Sequence, residues 1–332
     1  MARIADIARY TGLSVSTVSR YLNGHRHVSA ESSAAIRKAV RELRYTRNSS
    51  AVALRAGRTL RLAVILPTTD HSYYAALLSG AGEAAADLGY DLLIRQSPVI
   101  SSSTSDELTT MLETRLIDGA VIATDIPDEA VSSLVAGEAP IVACGQVTRE
   151  SLLSCVFTDH YRGAWEVLEH LFETGRRNIV VVVSGRPHAS SMLRESAGKD
   201  FVRAHGGEVN ISFEAEENDD SVSAGLALGE RLLSRNPAPD AVFTGADQLA
   251  VGVLTAAGQR GVAAGSELAI VGYDDQSLSQ ALGLSTVHQP TRKMGARAVR
   301  MLVEHIGRRS AGAAVETSCV ELPCTLRLRE TS

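Results

Sequence analysis

The sequence contains no apolar run approaching the roughly 20 residues that a membrane-spanning helix needs. A bundle of transmembrane helices is therefore excluded. The N-terminal stretch has no apolar h-region, so no secretory signal is read there. Cysteine is scarce. The four present, Cys144, Cys155, Cys319 and Cys324, are widely spread and never form a C-x-x-C pair. They read as reduced core residues of a cytoplasmic protein rather than disulfides or zinc ligands. Catalytic signatures are also missing, with no P-loop, no H-E-x-x-H and no G-x-S-x-G. GAGEAA at Gly80–Ala85 fits a dinucleotide fingerprint only superficially. It lies inside a helical pattern well past the preceding strand, whereas the fingerprint must open the helix directly after the strand. Asp274 and Asp275 are adjacent carboxylates with no nucleophile or metal cluster beside them. No enzyme, cofactor or metal site is expected.

What is present is a chain of 332 residues, 45% apolar and 21% charged. That composition suits a globular protein with more than one domain. The net charge of −5 hides an asymmetry. Residues 1–58 carry eleven Arg or Lys against three Asp or Glu, a net of +8, and the remainder is −13. A small basic head on a large acidic body points to a polyanion-binding module joined to something else.

The head contains IADIARYTGLSVSTVSRYL at Ile4–Leu22. Ile4, Ile7 and Ala8 recur at i, i+3, i+4, one face of a helix. Gly12 can leave that helix through a left-handed conformation, and Ser14 is a good N-cap for a second one. Val18, Leu22 and Tyr21 give the second helix its apolar face. This is a helix-turn-helix pattern, in which the second helix reads the major groove. The bland reading is a terminal helical hairpin, and the coincident basic charge weighs against it. A third helix from Ser29 to about Leu43 carries Ala35, Ile36, Ala39, Val40 and Leu43, enough to close a small core.

From Arg61 the pattern changes to apolar strands alternating with helices. RLAVILP, YDLLI, IDGAVIA and APIVACG form one set, and NIVVVVSG, VNISF, DAVFTGA and ELAIVGYDD a second. Such alternation implies parallel sheets covered on both faces, with ligands at the carboxyl ends of the strands. The expected fold class is a small all-α helix-turn-helix head plus an α/β body of two parallel-sheet subdomains with a cleft between them.

These motifs together resemble the LacI-type (LacI/GalR) transcriptional regulators over essentially the full length. The resemblance rests on the head sequence, VSAE, Glu42–Tyr45, Asp118–Gly119, Phe157–Asp159, GRRNIVVV, ADQLAVG, VGYDD and TVHQPTRKMG, in order and spacing. It implies a DNA-binding head at 1–46, a hinge at 47–59 and a periplasmic-binding-protein-like effector and dimerisation domain at 60–332. Within the latter it implies an N-subdomain of about 60–157 and 291–319, and a C-subdomain of about 159–288 and 322–330. By the same resemblance Val15, Ser16 and Arg20 face base edges, while Ser14, Thr17, Ser19, Asn23 and Tyr45 contact phosphates. Leu54 and Arg55 stand where the family's hinge helix places a leucine wedge in the minor groove. Arg47 replaces the family's usual proline, and Ala51-Val52 its usual Ala-Arg.

For the effector cleft, the candidates are Asp70, Tyr73 and Tyr74 after the first strand, Asp159, Arg194, Asp247 and Asp274. Competing readings stand beside them. A strand-end Asp is often a helix cap, Tyr73 and Tyr74 fit core packing, and Asp159 fits either role. Glu195 competes with Arg194 for the family's arginine position. The implied function is a sequence-specific DNA-binding regulator, a repressor, controlled allosterically by a small molecule of the carbohydrate or related metabolite class. The implied partners are palindromic double-stranded operator DNA and a second copy of the chain. No leucine-heptad tail follows Arg329, so a homodimer in the cytoplasm is expected. The alternative is a small-molecule binding module without DNA-regulatory activity.

Overall fold

The computed structural model describes residues 4–22, 28–43, 45, 58–69, 71–136, 140–146, 152–184, 189–216 and 220–332. The chain divides into two compact units, residues 1–59 and 60–332.

In the first unit, α1 (Ile4–Thr11), α2 (Val15–Leu22) and α3 (Ala30–Glu42) close around Ile7, Ala8, Val18, Ile36 and Ala39. The apolar spacing read from the sequence is what places these side chains together. Gly12 makes the turn at φ +69°, a left-handed conformation that glycine adopts without strain. Ser14 then starts α2, its Oγ accepting the Thr17 N–H at 3.1 Å. Ser29 starts α3 the same way, accepting the Ser32 N–H at 3.2 Å.

The second unit holds two six-stranded sheets. The first contains β1 (Arg61–Leu66), β2 (Asp91–Gln96), β3 (Gly119–Ile122), β4 (Ile141–Cys144), β5 (Ser154–Phe157) and β11 (Cys319–Glu321). Its order is β11-β5-β4-β3-β1-β2, with every pairing parallel. The second contains β6 (Asn178–Ser184), β7 (Asn210–Glu216), β8 (Ala241–Phe243), β9 (Ala269–Asp274), β10 (Ser285–His288) and β12 (Thr325–Arg327), in the order β12-β10-β9-β8-β6-β7. Only β12 runs antiparallel there. Both sheets are thus wound alike, and each receives its last strand from the same C-terminal stretch.

Helices α4 (Ser72–Asp87), α5 (Ser102–Glu113), α6 (Asp128–Ala136) and α12 (Thr291–Ser310) belong with the first sheet. Helices α7 (His160–Glu173), α8 (Ala189–Ala204), α9 (Val222–Leu233), α10 (Asp247–Gln259) and α11 (Ser277–Ala281) belong with the second. Near-continuous apolar strands such as NIVVVV are what a sheet buried on both faces requires. The chain passes between sheets at residues 158–159, 289–290 and 322–324. Helices α4 and α12 touch backbone to backbone. A Cβ on Gly80 would lie 1.8 Å from the Arg292 carbonyl oxygen, and one on Gly295 2.1 Å from that of Leu77. Gly80 of the GAGEAA run therefore serves helix packing.

The cysteine expectation is corrected in part. Cys155 and Cys319, 164 residues apart in sequence, face each other in register across β5 and β11 and form a disulfide, with Cα atoms 4.6 Å apart. Topology made this pair neighbours, and spacing along the chain carried no sign of it. Cys144 and Cys324 are free and buried.

Candidate functional site

Two sites are defined, one in each unit. On the head, α2 buries Val18 and turns Val15, Ser16 and Arg20 outward. Val15 is 53% exposed, an uncovered branched apolar side chain at the N-terminal end of a short helix. Thr17 and Ser19 are half-buried on the flanks. The Ser14 hydroxyl lies within 2.8 Å of both Ser16 Oγ and Thr17 Oγ1 while it caps the helix. Tyr45 is half-buried, with its N–H on the Val40 carbonyl at 2.9 Å. Asn23, Leu54 and Arg55 lie outside the described residues, as do Arg47 and Val52.

In the body, a cavity of about 200 Å³ opens between the two sheets at the carboxyl ends of their strands. Tyr73 and Tyr74, from the first turn of α4, form one wall, their rings edge to face at 5.1 Å. His71 caps that helix, Nδ1 accepting the Tyr73 N–H at 3.3 Å. Its Nε2 is buried without a hydrogen-bond partner, and burial lowers its pKa, which favours the neutral ring. Thr124 and Asp125 follow β3, and Gln146 follows β4 with its side-chain amide on the Thr124 carbonyl. The second sheet contributes Ser190, Ser191 and Arg194 from α8, Asp220 ahead of α9, and Asp274 at the end of β9.

Asp274 is the most constrained of these. Its φ is +105°, and the next residue, Asp275, has φ +56°. Its Oδ1 accepts from Gln289 Nε2 at 2.6 Å, and Gln289 Oε1 accepts from the Thr158 hydroxyl at 3.0 Å. Burial raises its pKa well above the usual carboxylate range. Asp247 and Asp220 add to this, while Gln289 and Arg194 oppose it. Thr158 and Gln289 sit on two of the inter-sheet crossings. A carboxylate facing the cavity is thereby hydrogen-bonded into two of the inter-sheet crossings. Across the rim, Ser72 Oγ donates to Gln276 Oε1 at 2.7 Å, joining the start of α4 to the residue before α11.

Arg194 lines the cavity, 7% exposed, with its guanidinium 4.8 Å from the Tyr273 ring centroid and its Nε unpartnered. Glu195, its rival in the sequence, points away and pairs with Lys199 at 2.6 Å. Two expected contacts take other roles. Asp247 is 1% exposed, and its oxygens accept from the Thr286 hydroxyl at 2.5 Å and the Gln276 N–H at 2.7 Å. It braces the strand ends from beneath and is not part of the cavity lining. Asp159 caps α7, accepting the Arg162 N–H at 2.9 Å, and its neighbour His160 reaches the cavity instead. Asp70 lies outside the described residues. Sequence reasoning missed Asp125, Asp220, Gln289 and the α8 serines. The strand-end rule would have found Asp125, which follows β3 as Asp274 ends β9. Asp220 and the serines carry no comparable signal.

A helix-turn-helix head and a two-sheet body with a cavity between its sheets define a ligand-responsive DNA-binding regulator. A family model described as bacterial regulatory proteins, lacI family, matches residues 3–48. A second, described as a periplasmic binding protein-like domain, matches residues 168–332. The chain is 31% identical over 92% of its length to the uncharacterized HTH-type transcriptional regulator YkvZ of Bacillus subtilis (strain 168), covering 94% of that protein. It is 27% identical to catabolite control protein A of Priestia megaterium, over 99% of this chain and 98% of that one. Among solved structures, the Lac repressor dimer bound to operator and the anti-inducer ONPF shares the fold, with TM-score 0.85 and 24% identity. The match covers 99% of this chain and 98% of that one. The chain belongs to the LacI family of bacterial regulatory proteins. It joins a DNA-binding helix-turn-helix domain to an effector-binding domain. Members of this family are transcriptional regulators rather than enzymes.

Proposed function

We propose that this protein is an operator-binding repressor whose DNA affinity is set by a small metabolite seated between the two sheets. The observation that carries this reading is the Asp274–Gln289–Thr158 chain of hydrogen bonds, because one network serves both the cavity and two crossings. A ligand that replaces a bond to Asp274 or Gln289 changes what holds the crossings, and with them the relative position of the subdomains. Tyr73, Tyr74, Arg194 and Asp274 are the proposed effector contacts. Val15, Ser16 and Arg20 are the proposed base readers, with Ser14, Thr17, Ser19, Asn23 and Tyr45 on phosphates. Two copies pair through the body and present two heads to a palindromic site in the cytoplasm, with Leu54 and Arg55 of each hinge at its centre. Among the described residues no helix is long and apolar enough to cross a membrane.

Effector and operator are then coupled by about 1–3 kcal/mol, and each changes the other's affinity by the same factor. The test is selection of bound sequences from random duplex DNA by the full-length protein, with and without a panel of sugars and nucleobases. A palindrome whose enrichment one compound abolishes is the expected result. A compound that instead creates the enrichment makes the metabolite a co-repressor. No enrichment under any condition overturns the reading and leaves a binding module without regulatory activity. At the hinge, Leu54→Ala is expected to weaken operator binding far more than binding to unrelated DNA in the same titration. Equal loss in both sinks the wedge role.

A further inference from the structure

The hydroxyl that caps α2 has more neighbours than a cap needs. Ser14 Oγ accepts the Thr17 N–H at 3.1 Å and lies 2.7 Å from Ser16 Oγ and 2.8 Å from Thr17 Oγ1. The local sequence dictates this cluster, because S-V-S-T puts hydroxyls at the cap and at the second and third helical positions. S-S-S-T ahead of α5 has the same spacing and repeats it. There Ser101 Oγ accepts the Thr104 N–H at 3.2 Å and lies 2.9 Å from Ser103 Oγ and 3.0 Å from Thr104 Oγ1. What sets the first cluster apart is its place on the second helix of a LacI-family head. Ser16 is exposed there beside Val15, and Thr17 is half-buried.

A hydroxyl carries one proton and two lone pairs. One lone pair of Ser14 Oγ takes the Thr17 N–H. One lone pair and one proton remain for two neighbouring hydroxyls, so Ser14 donates to one and accepts from the other. Whichever neighbour receives the Ser14 proton keeps its own proton to point outward. The other spends its proton on Ser14 and presents only lone pairs. Phosphate oxygens accept, so Thr17 seated on a phosphate spends its proton there. Thr17 then receives the Ser14 proton, and Ser16 donates to Ser14. A free serine suits either kind of base edge. Docking on the DNA backbone turns this one into an acceptor.

We infer that Ser16 reads a base amine, cytosine N4 or adenine N6, its specificity set by the Ser14–Thr17 hydroxyl chain rather than by Ser16 alone. This rests on the reading of α2 as the base-reading helix with Thr17 on a phosphate. The test uses full-length protein and the duplex it selects from random DNA. Selection with Ser16→Ala first identifies the base pair whose preference depends on Ser16. At that pair the amine is then removed from the major groove, with 2-aminopurine for adenine or pyrimidin-2-one for cytosine. In a separate duplex the purine N7 is removed with a 7-deazapurine. Loss of the amine should weaken binding about 10-fold, and loss of N7 should not. Ser16→Ala should erase the amine effect, and comparison with it cancels any change in base pairing. Thr17→Val should weaken all sites alike through the lost phosphate contact. It should also shrink the amine effect, because Ser14 can then give its proton to Ser16. Both variants keep the Ser14 cap, and neither residue belongs to the head's core. No selected duplex sinks the DNA-binding reading and the inference with it. A selected duplex with no amine effect, or with one that survives Ser16→Ala, overturns the inference alone. A Ser16-dependent loss on removing N7 overturns it too, as does a full amine effect in Thr17→Val.

Discussion

Asp274 and Val15 are each held in a position that their own chemistry disfavours. Asp274 is ionisable, backbone-strained and half-buried near Asp247, and its folded-state pKa is raised. A raised carboxyl pKa means that the native state binds more protons than the unfolded chain between the two values. Its contribution is therefore fully present below the unfolded pKa of about 3.9 and is lost as pH rises through the folded value. Asp274→Asn should raise the melting midpoint at neutral pH and flatten the decline of stability with pH above the acid range. A thermal-denaturation series from pH 4 to 8 checks it, and an unchanged slope counts against the carboxyl. Val15 is an apolar side chain left in solvent on a helix built to be read from outside. Val15→Asn should exchange a thymine-methyl preference for an adenine preference at one half-site position, worth about 1–3 kcal/mol of discrimination. Repeating the DNA selection with the variant reads this directly. Asp247 marks the limit of strand-end reasoning. It follows β8 as Asp274 ends β9, and the sequence treats them alike. The difference comes from Gln276 and Thr286, which converge on Asp247 from later elements and hydrogen-bond one to each of its oxygens.

At the scale of elements, caps and close approaches carry much of the organisation. Removing the Ser14 hydroxyl takes a partner from the first turn of α2, so Ser14→Ala should destabilise the head by about 1 kcal/mol. Denaturant titration followed by far-UV circular dichroism, with the transition of residues 1–59 resolved, measures this. Gly80→Ala forces α4 off α12 and should cost the body about 1–3 kcal/mol. The first sheet's strands from RLAVIL to IVAC and the second sheet's NIVVVVS were legible because sustained apolar runs between helical patterns leave little alternative. Strands β5, β10, β11 and β12 were not. Each is three or four residues long, and β11 and β12 find partners far back along the chain. The cavity was legible in part for the same reason. Tyr73, Tyr74 and Asp274 follow from topology, whereas Asp220 and the α8 serines depend on loop paths that no local pattern specifies.

The whole body is a double-wound design threaded three times between its halves, and its covalent cross-link lies close to two of those passages. Peptide mapping without reductant should recover Cys155 and Cys319 in one cross-linked species, and reduction should lower stability by about 2–4 kcal/mol. Finding four titratable thiols in the unfolded, unreduced protein would refute the pairing. Cys144 and Cys324 should resist alkylation until unfolding, because burial pushes their thiols up to about 12 and about 11 and keeps them protonated.

The shared ending of the two sheets also bears on how the chain is made. Strand β5 waits for β11, and β10 for β12, so the first sheet gains its last strand only with residue 321 and the second only with residue 327. From β5 onward the nascent chain carries one sheet edge awaiting its last strand, and from β10 onward a second, of the kind that invite pairing with other chains. A release before residue 319 leaves both halves unfinished together. Such truncated copies are substrates for chaperones and proteases rather than half-working regulators able to occupy an operator without answering to an effector.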